Sequence, residues 1–155
     1  MGRLTEVAPG VLVATSTYAM TTSTVVAGPP GSCLLVDPAV TVADLAALAG
    51  ELADLGLRPA VAWSTHPHWD HVLWSAGLGD APRYAAPAAV TLLETEREAM
   101  LGQLGQSAPG HDLELAGRMQ ALDGAAIPWE GPEAKRFIAS VQEETFAWWR
   151  SQDGT

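Results

Sequence analysis

The first sixty-five positions alternate between short apolar runs and one long amphipathic stretch. VLVATS (11–16), TSTVVAG (22–28) and SCLLVDP (32–38) are apolar or β-branched runs too short for helices, and the last two flank the turn sequence GPPG. They predict three strands in an opening meander. Thr41 and Asp44 then have the spacing of a capping box, and Val42, Leu45, Leu48, Leu52 and Leu55 recur at steps of three and four. That period predicts a helix over 42–55 that stops near Gly56. PAVAWST (59–65) is again a brief apolar run and reads as a strand. Strand, helix, strand in this order is the sign of a layered α/β domain, its sheet buried under helices.

The pattern is weaker further on. VLWSAGLGD (72–80) reads as loop or short helix, and the proline-bounded PRYAAP (82–87) as a short edge strand. Pro87 opens a segment whose Val90, Leu93, Met100 and Leu104 predict one helix over 87–105, with Glu94, Glu96 and Glu98 on its solvated face. Residues 106–134 are rich in Gly and Pro and read as loop with at most one short element. A last helix is expected over 132–150, with Trp148 and Trp149 on its apolar face. The expected organisation is one domain over 1–134 followed by a C-terminal helix and tail over 135–155.

Composition narrows the function classes. A 155-residue chain that is 48% hydrophobic and 17% charged is long enough to bury a core. Its 8 basic and 18 acidic side chains give a net charge of −10, which argues against nucleic acid and anionic membrane as partners. The single cysteine, Cys33, sits among apolar neighbours in GSCLLVDP and reads as a buried strand residue in a reducing compartment. With no secretory signal and no apolar run near the roughly 20 residues of a membrane span, the expected location is cytoplasmic.

The chemistry concentrates in STHPHWDH (64–71), which holds three of the four histidines. Residues two apart on an extended segment face the same way, so His66 and His68 can close on one ion. Where the chain turns, Asp70 and His71 can reach a second. Imidazole and carboxylate suit zinc, and also iron or manganese, ions that can make a bound water a nucleophile near neutral pH. Pro67 biases His66 toward an extended backbone. Trp69 and Trp74 flank the ligands and either line a substrate pocket or pack beneath the loop.

This H-x-H-x-D-H motif at a strand exit, with LLVDPA (34–39) ending an earlier strand, resembles the signature of the metallo-β-lactamase superfamily of metal-dependent hydrolases. The resemblance covers roughly residues 5–130. It implies that His66 and His68 belong to a first metal site and Asp70 and His71 to a second, with one or two zinc ions. It implies too that Asp37 braces the metal loops by hydrogen bonds and that Asp70 takes a proton from the attacking water. The fold implied is the N-terminal half of an αββα sandwich.

The second half of that sandwich has no counterpart in the pattern. A two-metal site of this kind takes about six protein ligands, and the motif holds four. His111, in SAPGHD, is the one later histidine and so a candidate ligand, while Asp112 and Asp123 are weaker candidates for a bridging carboxylate. Trp148 and Trp149 would cover the sheet face that the missing half leaves bare, and failing that the face would drive a homo-oligomer, a two-fold dimer being the simplest. Two functions are therefore expected as alternatives. One is hydrolysis of a small-molecule ester, thioester, lactone or amide by metal-bound hydroxide; the other is a metal-binding module without hydrolytic activity. The same ligands also suit iron in redox or lyase chemistry.

Overall fold

The computed structural model describes residues 2–28, 31–38, 40–122, 124 and 126–129. The described residues build one seven-stranded sheet whose strands lie in sequence order: β1 (Thr5–Ala8), β2 (Val11–Thr15), β3 (Thr22–Ala27), β4 (Ser32–Val36), β5 (Arg58–Trp63), β6 (Arg83–Ala85) and β7 (Gln120–Ala121). The first four pair antiparallel, and β4 through β7 pair parallel. The switch occurs at α1 (Val42–Asp54), the long connection that parallel neighbours require.

Both faces of the central strands are buried, which is why β3 and β4 read as continuous apolar runs rather than alternations. On one face Val25, Cys33, Leu35 and Ala62 pack with Leu45, Leu48 and Leu52 of α1. Each of those leucines is at most 1% exposed, a burial worth about 1.5–3 kcal/mol apiece before entropy. The other face carries Val26, Leu34, Val36, Val61 and Trp63, covered by Ile127 with Leu122 and Trp129 beside it. Trp129 fits closely enough that a Cβ on Gly28 would stand 2.0 Å from its ring. The predicted cover, Trp148 and Trp149, lies outside the described residues, as do the predicted C-terminal helix and Asp123.

The strands predicted at 11–16, 22–28, 32–38 and 59–65 and the helix at 42–55 all form. Thr41 caps α1 with the predicted box, its hydroxyl accepting from Asp44 N at 3.1 Å while Asp44 Oδ2 accepts from Thr41 N at 3.3 Å. Cys33 is fully buried, and desolvation pushes its thiol up to about 12.

Two expectations are corrected. The single helix over 87–105 is two, α2 (Pro87–Thr95) and α3 (Arg97–Ser107), broken at Glu96. Residues 94–98 read ETERE, with no apolar residue to hold the turn to the core and like charges four apart at Glu94 and Glu98. Arg97 instead ties the start of α3 to the following loop, donating to Ala116 O and Leu113 O at 2.7 Å each. β6 is not an edge strand, because β7 pairs on its outer side. β1, exposed along its whole length, and the two-residue β7 carry no period that a pattern could register.

Candidate metal centre

The site is built where β4 and β5 end side by side. Asp37 follows β4, its N–H donating to Trp63 O at 3.1 Å, and the motif loop leaves β5 directly beyond. Asp37 adopts φ 47°, a left-handed conformation that aspartate tolerates better than most residues. The turn aims its carboxylate back at the loop. Oδ1 accepts from Thr65 N at 2.8 Å, Oδ2 accepts from the Thr65 hydroxyl at 2.5 Å, and His71 Nδ1 stands 2.9 Å from Oδ2. That last contact is short but misdirected, since the buried Nδ1 completes no hydrogen bond of good geometry. It acts through charge and proximity.

The loop itself turns on one short helical turn, Trp69–His71, closed by His71 N donating to His68 O at 3.0 Å. Ser64 is buried, and its hydroxyl donates to His71 O at 2.8 Å, pinning the far end of the loop to the strand exit. Together these bonds gather the four motif residues. The His66 ring is 4.7 Å from the His68 ring and 3.8 Å from the His71 ring, centre to centre, and His71 Nε2 is 3.5 Å from Asp70 Oδ2. Asp70 Oδ2 also accepts from the Thr21 hydroxyl at 2.9 Å, which ties the loop to the β2–β3 connection.

Protonation follows from this network. The one proton of the Thr65 hydroxyl goes to Asp37, so its contact with His66 Nδ1 at 3.0 Å needs an N–H on that nitrogen. His66 is thereby held in the tautomer that leaves Nε2 as a lone-pair donor. Burial, and then the neighbouring His71, lower the His66 pKa to about 4, so the ring is neutral at pH 7. His71 moves the other way. Burial depresses it, but the adjacent Asp37 and Asp70 carboxylates outweigh burial and raise its pKa above the ordinary imidazole value.

His111 takes a different place. Its Nε2–H donates to Val40 O at 2.9 Å, just before α1, and burial lowers its pKa against that bond. Asp112 is exposed and caps a local turn, accepting from Glu114 N at 2.9 Å. Of the two tryptophans, Trp74 is buried under the loop at 3% exposure with its indole N–H on Gly79 O at 2.8 Å. Trp69 is half-buried, meets the Tyr18 ring edge-on at 6.1 Å, and walls a cleft beside His68. The residues that sequence reasoning missed are Thr65, Thr21 and Ser64. Small hydroxyl residues beside strand ends were their only signal.

The donor chemistry suits a borderline divalent ion, with a neutral imidazole stripped to its lone pair and a carboxylate adjacent. The positions are less complete. Among the described residues, no three His, Cys, Asp or Glu side chains are arranged to enclose one ion.

A family model of the metallo-beta-lactamase superfamily matches residues 17–144. The chain belongs to the metallo-β-lactamase superfamily. Its place in that superfamily is consistent with the fold of solved structures. DIM-1 metallo-β-lactamase aligns with a TM-score of 0.54 at 22% identity, covering 61% of this chain and 46% of that one. FIM-1 from Pseudomonas aeruginosa, solved in a mono-zinc form, aligns at 0.53 and 23%, covering 61% and 46%. TMB-1 aligns over more of the chain, 83% against 56% of its own length, at 0.55 and 17%. The chain therefore spans about half the length of these superfamily structures. No curated protein sequence matches it significantly. No helix among the described residues is long and apolar enough to cross a membrane.

Proposed function

We propose that the protein is a metal-dependent hydrolase of small-molecule esters, thioesters, lactones or amides. The observation that carries this reading is the convergence of His66, His68, Asp70 and His71 on one loop, braced by Asp37 at the adjacent strand end. Superfamily membership supports the same reaction class. His66 and His68 would hold one ion and Asp70 and His71 a second, zinc being the first choice and iron or manganese compatible with the donors. Such an ion supplies a Lewis acid that polarises a carbonyl and acidifies a water.

The chain's own residues do the rest. Thr65 and Asp37 hold His66 in its metal-binding tautomer, and Asp37 with Ser64 sets the position of His71. Thr21 holds one oxygen of Asp70, so the carboxylate is oriented to take the proton that water gives up as it attacks. The water oxygen bonds to the carbonyl carbon, the bond to the leaving oxygen, sulfur or nitrogen breaks, and the proton passes to the leaving group. Replacing His66 and His68 together with alanine is expected to abolish turnover of a carbonyl-ester panel by the zinc-loaded protein. Unchanged turnover in that variant would sink the reading.

A second reading is a metal-binding module without hydrolytic activity. It is favoured by the lack, among the described residues, of a three-donor enclosure. Elemental analysis separates the two: two equivalents of metal per chain fit the hydrolase, and substoichiometric metal in a folded protein fits the module. A homo-oligomer in which a second copy completes the ligand set would reconcile the motif with the hydrolase. Light scattering at micromolar concentration is then expected to give a dimer, and a monomer that binds two metals would count against that assembly.

A further inference from the structure

A cleft of about 230 Å³ opens beside His68. His68 and Trp69 form one wall, Leu93 and Met100 the floor, and Leu92 and Glu96 the rim, where the break between α2 and α3 turns the chain. Its floor is permanent structure, since Leu93 and Met100 are 3% and 6% exposed. Its size falls below the roughly 300–1,000 Å³ of sites that hold a whole drug-sized ligand. It can seat one arm of a molecule.

We infer that this cleft binds the uncharged apolar acyl arm of the substrate, an inference that rests on the hydrolase reading above. Three observations select that occupant. The floor offers leucine and methionine, which reward apolar area and adapt to its shape. Among the described residues the lining holds no Lys or Arg, while Glu96 stands at the rim of a chain with net charge −10, so a carboxylate-ended arm meets repulsion without a partner. Finally, His68 is both a motif residue and a wall of the cleft, so an arm seated there leaves its carbonyl next to the motif loop.

The test uses the zinc-loaded full chain. Across a series of acyl esters, kcat/KM is expected to rise about three- to four-fold per added methylene from acetyl to roughly hexanoyl, the worth of a buried methylene. Filling the cleft from its exposed side with Ala99→Trp, or with Leu92→Trp as a second variant, is expected to flatten that rise while acetyl esters still turn over. A readout independent of turnover is the Met100 methyl resonance, assigned by its loss in Met100→Leu. Hexanamide is expected to shift it in the wild type and leave it unmoved in Ala99→Trp, with adipic acid monoamide, which carries a carboxylate at the far end of the same arm, at least ten-fold weaker. A Met100 signal indifferent to hexanamide overturns the proposal, and adipic acid monoamide binding as tightly as hexanamide overturns the preference for an uncharged arm. If no ester is hydrolysed, the hydrolase reading fails, and the Met100 titration still decides whether the cleft binds an apolar arm.

Discussion

Asp37 is the residue on which the site depends most, because a single carboxylate reaches both ends of the motif loop. It takes two bonds from Thr65 and faces His71 from 2.9 Å, all from a left-handed backbone turn. Asp37→Asn keeps a side chain that tolerates this turn but removes the charge that orders the loop. It is expected to weaken zinc binding about 10–100-fold while the circular dichroism spectrum stays unchanged, because ligand orientation is lost rather than the fold. Zinc affinity equal to wild type would show that Asp37 does not orient the ligands. The neutral His66, held near pKa 4, has a further consequence: its protonation does not compete with metal above about pH 5. The raised His71 does compete, so zinc affinity measured by chelator competition is expected to fall as pH drops below neutrality, with His71 titrating before His66.

At the scale of elements, α1 illustrates local and tertiary demands agreeing. Its capping box was legible at Thr41 and Asp44, but Asp44 also accepts from the Ser16 hydroxyl at 2.8 Å, joining the helix start to the end of β2. Burial alone would raise the Asp44 pKa, and the hydrogen bonds it accepts outweigh burial and lower it. A carboxyl whose folded pKa lies below its unfolded value stabilises the fold above the unfolded pKa, and that contribution is lost as pH falls through the folded pKa. Asp44→Ala is therefore expected to cost about 1–2 kcal/mol in urea unfolding at pH 7, with the difference from wild type shrinking under acid. A gap that stays constant down to pH 3 would mean that the charge plays no part. The α2–α3 break shows the reverse situation. The 3.6-residue period spanned it because Val90, Leu93, Met100 and Leu104 all face the core, yet the charged run between them lets the chain turn and opens the cleft beside His68.

At the scale of the molecule, the central strands are buried on both faces although helices lie against one only among the described residues. The second face is closed by Ile127, Leu122 and Trp129. Trp129 was unremarkable in a segment read as loop, because a lone tryptophan among Gly and Pro has no period to betray it. Gly28 is what admits the indole. Gly28→Ala would set a methyl 2.0 Å from the Trp129 ring, and is expected to destabilise the protein by about 1–3 kcal/mol through overpacking. Gly28→Ala combined with Trp129→Ala should then cost less than the sum of the two single changes, since both act on one contact. Additive costs in chemical unfolding would place the indole elsewhere.

By itself the sequence determined the α/β class, five of the seven strands, α1 and the identity of the motif residues, because these are local: a run, a period, a cap or a spacing is written in adjacent positions. Asp37 was expected as a brace only through the family resemblance, and tertiary structure alone decided which atoms it meets and that Thr21 joins it. Thr21 reaches Asp70 across 49 positions and Asp37 reaches Thr65 across 28. Contacts made by folding distant strand ends together leave no periodic mark. The same holds for the contact of His111, whose ring the fold seats on the Val40 carbonyl, 71 positions away and just before α1. Which atoms meet is a property of the sheet order, and only the assembled sheet states it.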